Sequence, residues 1–437
     1  MRQTSDDPSR TPRALRPFRQ SQYRLLVGAL SFSLFGGGIW LVAVVWQVIV
    51  LGGGPQELSI VALASSLGLV GAVLVGGVVA DRVPQRRIMI VVEAVRALGI
   101  GSAAVLALLG SIDVWYLAFV AFILGIVDGF FYPAYSAVLP GILPADDLLA
   151  ANGVEGMLRP ALMQAAGPAV ASFAIAVHSP GLAFAVVAAA SAVAVAGLML
   201  MHPTPVRREP DAVKQHPMRT LFQDLRGGLL YMVGTPWLLG TLLFACLLVL
   251  IIMGPIEVLL PFAVKDQTGG GAGAFALALA AFGVGGAIGS MTVASLALPR
   301  RYLTVMVLGW GAGSLPLAVI GITSQLWIMV VALFVVGFTF SAAQVIWGTL
   351  LQRRVPPALL GRVSSLDFFV SLALMPVSMA IAGPVGVAIG FPTSFLIAGM
   401  VPVLLGVAAI IVFRMPRDEL ATPLESTSPG NAPGFVV

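Results

Sequence analysis

Five charged side chains break the apolar runs in the first half of this chain: Glu93, Arg96, Asp128, Glu155 and Arg159. Glu93 and Arg96 are three residues apart and Glu155 and Arg159 four apart, so each pair shares one face of a helix. A charge in hydrocarbon costs about 2.5–3.5 kcal/mol even on insertion scales, so each needs a partner or water. A carboxylate beside an arginine in such a place can take up and release a proton, because burial and the neighbouring cation act on it in opposite directions. Asp128 is the expected titrating carboxylate, with Arg159 or Arg96 as its partner. The competing reading is a static pair that fixes helix packing. Glu93 and Glu155 are counted nearer the helix ends, which suits a structural or gating role. Glu257 stands apart in Met253-Gly254-Pro255-Ile256-Glu257, where Pro255 and Pro261 loosen the helix. It reads either as an outer gate or cation-attracting residue, or as a solvated helix end.

The elements that carry these residues must be membrane helices. Hydrophobic residues make up 59% of the chain and charged ones 10%, with a mean hydropathy of +1.00. A soluble chain of 437 residues has no interior large enough for that much apolar surface. A crossing needs roughly 20 apolar residues, and the runs here are too long and too continuous for barrel strands. Apolar runs bounded by turn and charge signals give twelve spans at 25–50, 57–80, 88–109, 114–138, 149–177, 181–201, 235–262, 275–298, 302–321, 325–350, 358–386 and 391–414.

Arginine sets the orientation. Of the 24 Lys and Arg residues, Arg96 and Arg159 lie inside spans and only Lys265 lies in a loop on the side opposite the termini. The positive-inside rule then places both termini in the cytoplasm. The chain divides into an N-terminal tail (1–24), a six-span half (25–201), a cytoplasmic linker (202–234), a second six-span half (235–414) and a disordered tail (415–437) rich in Pro, Ser and Thr. Within the linker, Leu221-Phe222-Gln223-Asp224-Leu225-Arg226 reads as an amphipathic surface helix. The arginine-rich start does not read as a cleavable signal.

One short loop carries a motif. Gly77-Val78-Val79-Ala80-Asp81-Arg82-Val83-Pro84-Gln85-Arg86-Arg87 joins spans 2 and 3. This Gly-x-x-x-Asp-Arg-x-x-x-Arg-Arg pattern resembles the signature loop of the major facilitator superfamily. A weaker echo follows span 8, in Gly285-Gly286-Ala287-Ile288-Gly289-Ser290 and Leu298-Pro299-Arg300-Arg301. Phe131-Tyr132-Pro133-Ala134, Leu139-Pro140, Ala151-Asn152, Gly167-Pro168, Val355-Pro356, Gly361-Arg362-Val363-Ser364-Ser365 and Gly383-Pro384 resemble its macrolide-efflux and enterobactin-export branch. The resemblance implies an all-α membrane protein of two pseudo-symmetric six-helix bundles, with a substrate site between them near the midplane. It also implies a cytoplasmic gate in which Asp81 meets the start of span 11, near Gly361 to Ser365. There Arg82 has Asp367 as its nearest carboxylate, beside Gly77, Arg86 and Arg87. Topology anchoring alone is the plainer reading of the three arginines.

Polar and aromatic residues inside the spans are the candidates for a cavity lining: Trp40, Gln47, Tyr132, Tyr135, Gln164, Glu257, Gln344 and Trp347. Such groups suit an amphipathic ligand, although any one aromatic also suits the core.

The function implied is a secondary active exporter of small amphipathic molecules, of multidrug type, coupled to protons and working by alternating access. Alternatives are a siderophore or other native-metabolite exporter, a lipid flippase or uptake facilitator, and a membrane sensor or scaffold without transport. The expected setting is the bacterial plasma membrane, with small-molecule substrate, protons and lipid as partners, and a monomer. No enzyme is expected, and no cofactor or metal site. A phosphate-binding Gly-x-x-x-x-Gly-Lys-Ser/Thr is missing, Cys246 is the single cysteine, and His178, His202 and His216 have no ligand spacing. The pI of about 9.8 tracks membrane topology and does not point to nucleic acid.

Overall fold

The computed structural model describes residues 13–80, 83–203, 227–296 and 298–424. Asp81, Arg82, the 221–226 stretch, most of the linker and residues 425–437 lie outside the described residues. Among the described residues every regular element is a helix. A 3-10 turn, Arg13–Arg19, leads into α1 (Ser21–Val50), followed by α2 (Pro55–Ala80), α3 (Gln85–Leu108) and α4 (Val114–Ile142). The fifth crossing has three parts: α5 (Ala145–Leu158), a π-helical segment (Arg159–Ala166) and α6 (Gly167–Val177). The sixth is α7 (Pro180–Met199).

The second half opens with α8 (Pro236–Gly254), a π segment (Pro255–Leu259) and α9 (Leu260–Thr268), which together make one crossing. Next come α10 (Ala272–Ser295), α11 (Tyr302–Gly311), a 3-10 turn (Ala312–Ser314), α12 (Leu317–Ile320) and α13 (Leu326–Arg354). The chain ends in α14 (Pro357–Leu372), α15 (Met375–Val412) and α16 (Met415–Ala421). Among the described residues, eleven helical stretches are long and apolar enough to span a bilayer. The last of them, Leu366–Val412, holds Gly390 at φ +76° and ψ 163°, a conformation open to glycine and costly for other residues. The helix breaks there and makes two crossings, so the total is twelve.

Local chemistry explains the tight turns on the side away from the termini. Asp113 caps α4 by accepting from the Tyr116 amide at 2.7 Å, and Glu57 caps α2 through the Gly54 amide at 2.7 Å. Outside the bundles, large apolar side chains such as Leu98, Trp115, Phe173 and Ile322 are exposed. That is the surface a hydrocarbon solvent requires.

Helix–helix contact in lipid depends on close backbone approach at small residues, and the two halves do this in the same way. In the first, α2 and α4 are pressed together so tightly that a Cβ on Gly125 would lie 2.0 Å from the Ser65 carbonyl oxygen. In the second, α10 and α13 meet so that a Cβ on Gly337 would lie 2.1 Å from the Phe282 carbonyl oxygen. Spans 2 and 4 occupy the places in one half that spans 8 and 10 occupy in the other. This repeats the halves that the glycine-rich echo after span 8 suggested.

Each bundle is fastened at its terminal side. Arg86 donates to the carbonyls of Leu198 and Met199 at 2.8 and 2.6 Å, so it satisfies the orphan C-terminal groups of α7. Arg86 is therefore more than a topology anchor, whereas Arg87 is exposed. In the second bundle α16 does the fastening. The Glu419 carboxylate, 1% exposed, accepts from the amides of Leu303 and Thr304 and from Thr304 Oγ1, and so caps α11. Asp418 binds Arg354 at 2.5 Å, and the Arg354 guanidinium lies 4.4 Å from the centre of the Trp237 ring. Residues 415–421, expected to begin a disordered tail, are thus helical. Asp418 and Glu419 are tied to helix ends of the second bundle.

Candidate functional site

The charged residues of the first bundle converge on Arg96. Glu93 is fully buried on α3, and Arg96 follows one turn later. Arg96 donates to Glu93 Oε1 at 2.5 Å and to Ser33 Oγ at 2.6 Å, while Ser33 Oγ donates to Glu93 Oε1 at 2.7 Å. The other guanidinium arm of Arg96 holds Asp128 Oδ1 from α4. The ring of Phe131 lies 5.9 Å from the guanidinium carbon. Of the two arginines considered for Asp128, Arg96 pairs with it. Arg159 binds Glu155 at 3.2 Å on the neighbouring turn.

Glu93, counted nearer the membrane surface, belongs to this buried network. Its Oε2 has no hydrogen-bond partner among the described residues. Asp128 differs from it. Its side chain is 48% exposed and opens into a cavity of about 300 Å³ that Ser33, Trp40, Arg96 and Arg159 also line. Arg96 is thus shared by two carboxylates, one sealed and the other, Asp128, within reach of water.

A second cavity of about 410 Å³ lies between the halves and shares Trp40, Leu41, Ser65 and Met163 with the first. The first half contributes Trp40, Ser65, Met163 and Gln164. The second contributes Glu257, Phe275, Phe282 and Phe340. Both π segments supply lining: Met163 and Gln164 from one, Ile256 and Glu257 from the other. Pro160 and Pro255 sit within the first two residues of these segments. A proline has no amide to continue the i→i−4 ladder, and π segments occur often at functional sites. Those prolines are the signal that the sequence offers for the break.

The expected cavity residues divide. Trp40, Gln164 and Glu257 line the central cavity. Gln47 and Tyr135 are buried in the helix packing instead, and Gln344 is exposed outside both cavities. The side chain of Tyr132 is not among those described. Trp347 is buried edge-on against Trp237 and Trp310, and its Nε1 donates to Asp367 at 3.0 Å. Nothing in the sequence marks Ser33, Phe275, Phe282 and Phe340 as lining; serine and phenylalanine are common in membrane helices and carry no cost that would single them out.

The cavity is closed on the side away from the termini. There the Gly383 amide donates to Ser59 Oγ at 2.7 Å, and Trp46 stacks on Phe275 with centroids 6.0 Å apart. A Cβ on Gly383 would lie 2.3 Å from the Pro55 carbonyl oxygen. On the terminal side, Gly153, Gly156 and Gly348 have no neighbour within 4 Å of an added Cβ among the described residues. A cleft of about 520 Å³ lined by Ser136, Asn152, Glu155 and Arg159 opens there. As for the expected gate, Asp81 and Arg82 lie outside the described residues, and Gly77 lies within α2. Asp367 accepts from Trp347 and, at 3.2 Å, from Ser371, both in its own bundle.

The closed side gives a test. Gly383→Val adds atoms against a backbone carbonyl that has no room to yield. Losing about 1.4 kcal/mol of closure shifts the population tenfold, so at least about a tenfold rise in far-side opening is expected. The readout is the labelling rate of Ala62→Cys, a cavity residue, by an impermeant maleimide in cells, with Cys246→Ser removing the native thiol. An unchanged rate would show that this contact does not seal the cavity.

Twelve apolar helices in two matching bundles, a cavity between them closed on one side, and a charge network beside it define a membrane transporter of the major facilitator fold. A family model described as "Transmembrane secretion effector" matches residues 12–433, and the chain belongs to that family. Among relatives, the multidrug efflux pump Tap of Mycolicibacterium fortuitum is 27% identical over 409 residues, covering 91% of this chain and 97% of its own. The enterobactin exporter EntS of Escherichia coli (strain K12) is 23% identical over 411 residues, covering 93% and 95%. Among solved structures, the nucleoside transporter NupG aligns with a TM-score of 0.62 at 16% identity over 89% of this chain and 99% of its own. A POT family transporter in complex with a thioalcohol-conjugated peptide aligns with a TM-score of 0.70 at 12% identity over 90% and 95%. Likeness at these identities shows the fold alone. The chain is a multi-pass membrane protein and a transporter, not an enzyme.

Proposed function

We propose that the chain is a proton-coupled exporter of small amphipathic molecules, of multidrug type, that works by alternating access. The observation that carries the reading is the sharing of Arg96 by two carboxylates, with Glu93 sealed and Asp128 open to a cavity. When Asp128 is ionised it holds one arm of Arg96. A proton on Asp128 removes that charge and leaves Arg96 to Glu93 and Ser33. The change weakens a contact between α3 and α4 beside the substrate cavity, and so biases the bundle between two arrangements. Export rather than uptake is supported by the printed functions of Tap and EntS.

By the arginine distribution, the termini and the open end of the cavity face the cytoplasm of a bacterium. One copy holds both halves and the cavity between them, so a monomer suffices in the bilayer. EntS also favours a second reading, a siderophore or other native metabolite as cargo.

The test is flux in proteoliposomes under an imposed pH gradient, with a panel of dyes, drugs and siderophores. Wild-type protein is expected to move at least one of them only when the gradient is present. Asp128→Asn removes the titrating group and keeps the shape, so it should fold and lose gradient-driven flux. Undiminished pH-dependent flux in that variant would remove Asp128 from the mechanism.

A further inference from the structure

We infer that the central cavity is a site for a lipophilic organic cation, and that Glu257 holds its positive centre. This deepens the transport reading, on which it rests, by giving the substrate a charge.

Among the described residues that line the cavity of about 410 Å³, Glu257 is the only ionisable one. Its side chain is exposed to that space, and no hydrogen bond or ion pair reaches it among the described residues. The other acids deep in the crossings are all engaged. Glu93 and Asp128 share Arg96, Glu155 has Arg159, and Asp367 has Trp347 and Ser371. A carboxylate in a membrane interior needs a partner or water, and among the described residues none pairs with Glu257, which is left to the water of the cavity. A ligand that displaces that water must therefore bring the partner.

The backbone under Glu257 is fixed. Its π segment follows Gly254, whose amide donates to Ser378 Oγ at 2.9 Å on the facing helix. The carboxylate is thus presented by a braced turn rather than by a mobile loop. Around it the walls are aromatic, with Trp40 from one half and Phe275, Phe282 and Phe340 from the other. Ring faces attract cations and repel anions. A neutral ligand would strip water from Glu257 without replacing it, and an anion would meet like charge at close range. A cation with apolar substituents satisfies both the acid and the rings.

Binding to purified protein in detergent tests this, with tetraphenylphosphonium as the cation and triphenylphosphine oxide as a neutral molecule of related shape. Wild-type protein should bind the phosphonium at least about tenfold more tightly than the oxide, the discrimination that a single charged contact supplies. Glu257→Gln should remove that preference, and Glu257→Asp should retain it. Equal wild-type affinity for the two molecules overturns the inference without recourse to any variant. So does wild-type phosphonium affinity in a folded Glu257→Gln. The assay uses no pH gradient. A chain that binds phosphonium through Glu257 and moves nothing along a gradient sinks the proton-coupled export reading and leaves the cation site standing.

Discussion

Replacing Arg96 by leucine is expected to cost about 3–5 kcal/mol of stability and to abolish transport. The cost arises at Glu93 rather than at the arginine. Glu93 is fully buried, its Oε1 is held by Arg96 and Ser33, and its Oε2 has no partner among the described residues. Removing the guanidinium leaves a carboxylate in a membrane interior with one hydroxyl for company. Asp128 loses its partner as well, but it faces a cavity and can be hydrated. Thermal unfolding in detergent reads the loss.

The triple variant Glu93→Gln, Arg96→Leu, Asp128→Asn separates stability from coupling. It carries no charge to leave unpaired, so it should regain most of the lost stability while gradient-driven flux stays absent. Arg96→Lys should fall between, because a point charge does not span two carboxylates as a guanidinium fork does. A single Arg96→Leu protein as stable as wild type would mean that the buried group is not held together by charge.

The second large effect is expected at Gly125. Even Gly125→Ala should prevent normal assembly of the first bundle, at a cost above the roughly 1–3 kcal/mol of ordinary overpacking. The added Cβ would lie 2.0 Å from the Ser65 carbonyl oxygen and 2.9 Å from the Leu69 amide nitrogen. Both are backbone atoms of α2, so relief requires the two helices to move apart along their whole contact. Gly153→Ala is the control. Its Cβ meets nothing within 4 Å among the described residues, and alanine is the better helix former by about 1 kcal/mol. The pair is compared by yield of monodisperse protein and by thermal transition. Equal behaviour of the two variants would show that α2 and α4 have room to separate.

These two sites are not equally legible in the chain. Glu93, Arg96 and Asp128 stand out because a charge in an apolar run is costly wherever it occurs, and that cost can be read one residue at a time. Their pairing cannot be read this way. Arg159 and Arg96 are both candidates in the sequence to meet Asp128, and the ion pair with Arg96 depends on how α3 meets α4. Ser33, the third ligand of the group, comes from α1 and carries no signal of its own. The aromatic residues show the same gap. Trp40 and Trp347 look alike in an apolar helix, yet one lines the cavity and the other is buried beneath Asp367. Gly125 belongs to a run of small residues whose importance is visible only once the partner helix is in place.

Hydropathy, charge and spacing along the chain suffice to show that it crosses a membrane, how many times, and which acids and arginines are expensive, and they point to two repeated halves. Each of these is a sum over neighbours in the chain, of hydropathy, charge or spacing, and needs no knowledge of what lies across the bundle. Packing between helices sets that Arg96 binds two carboxylates, that Glu257 meets no partner among the described residues, that Gly383 lies against Pro55 and Ser59, and that residues 415–421 cap a helix rather than trail away. Those depend on how closely and at what rotation one helix meets another. That geometry is set by backbone contacts such as Gly125 on Ser65 and Gly337 on Phe282, between residues far apart in the chain.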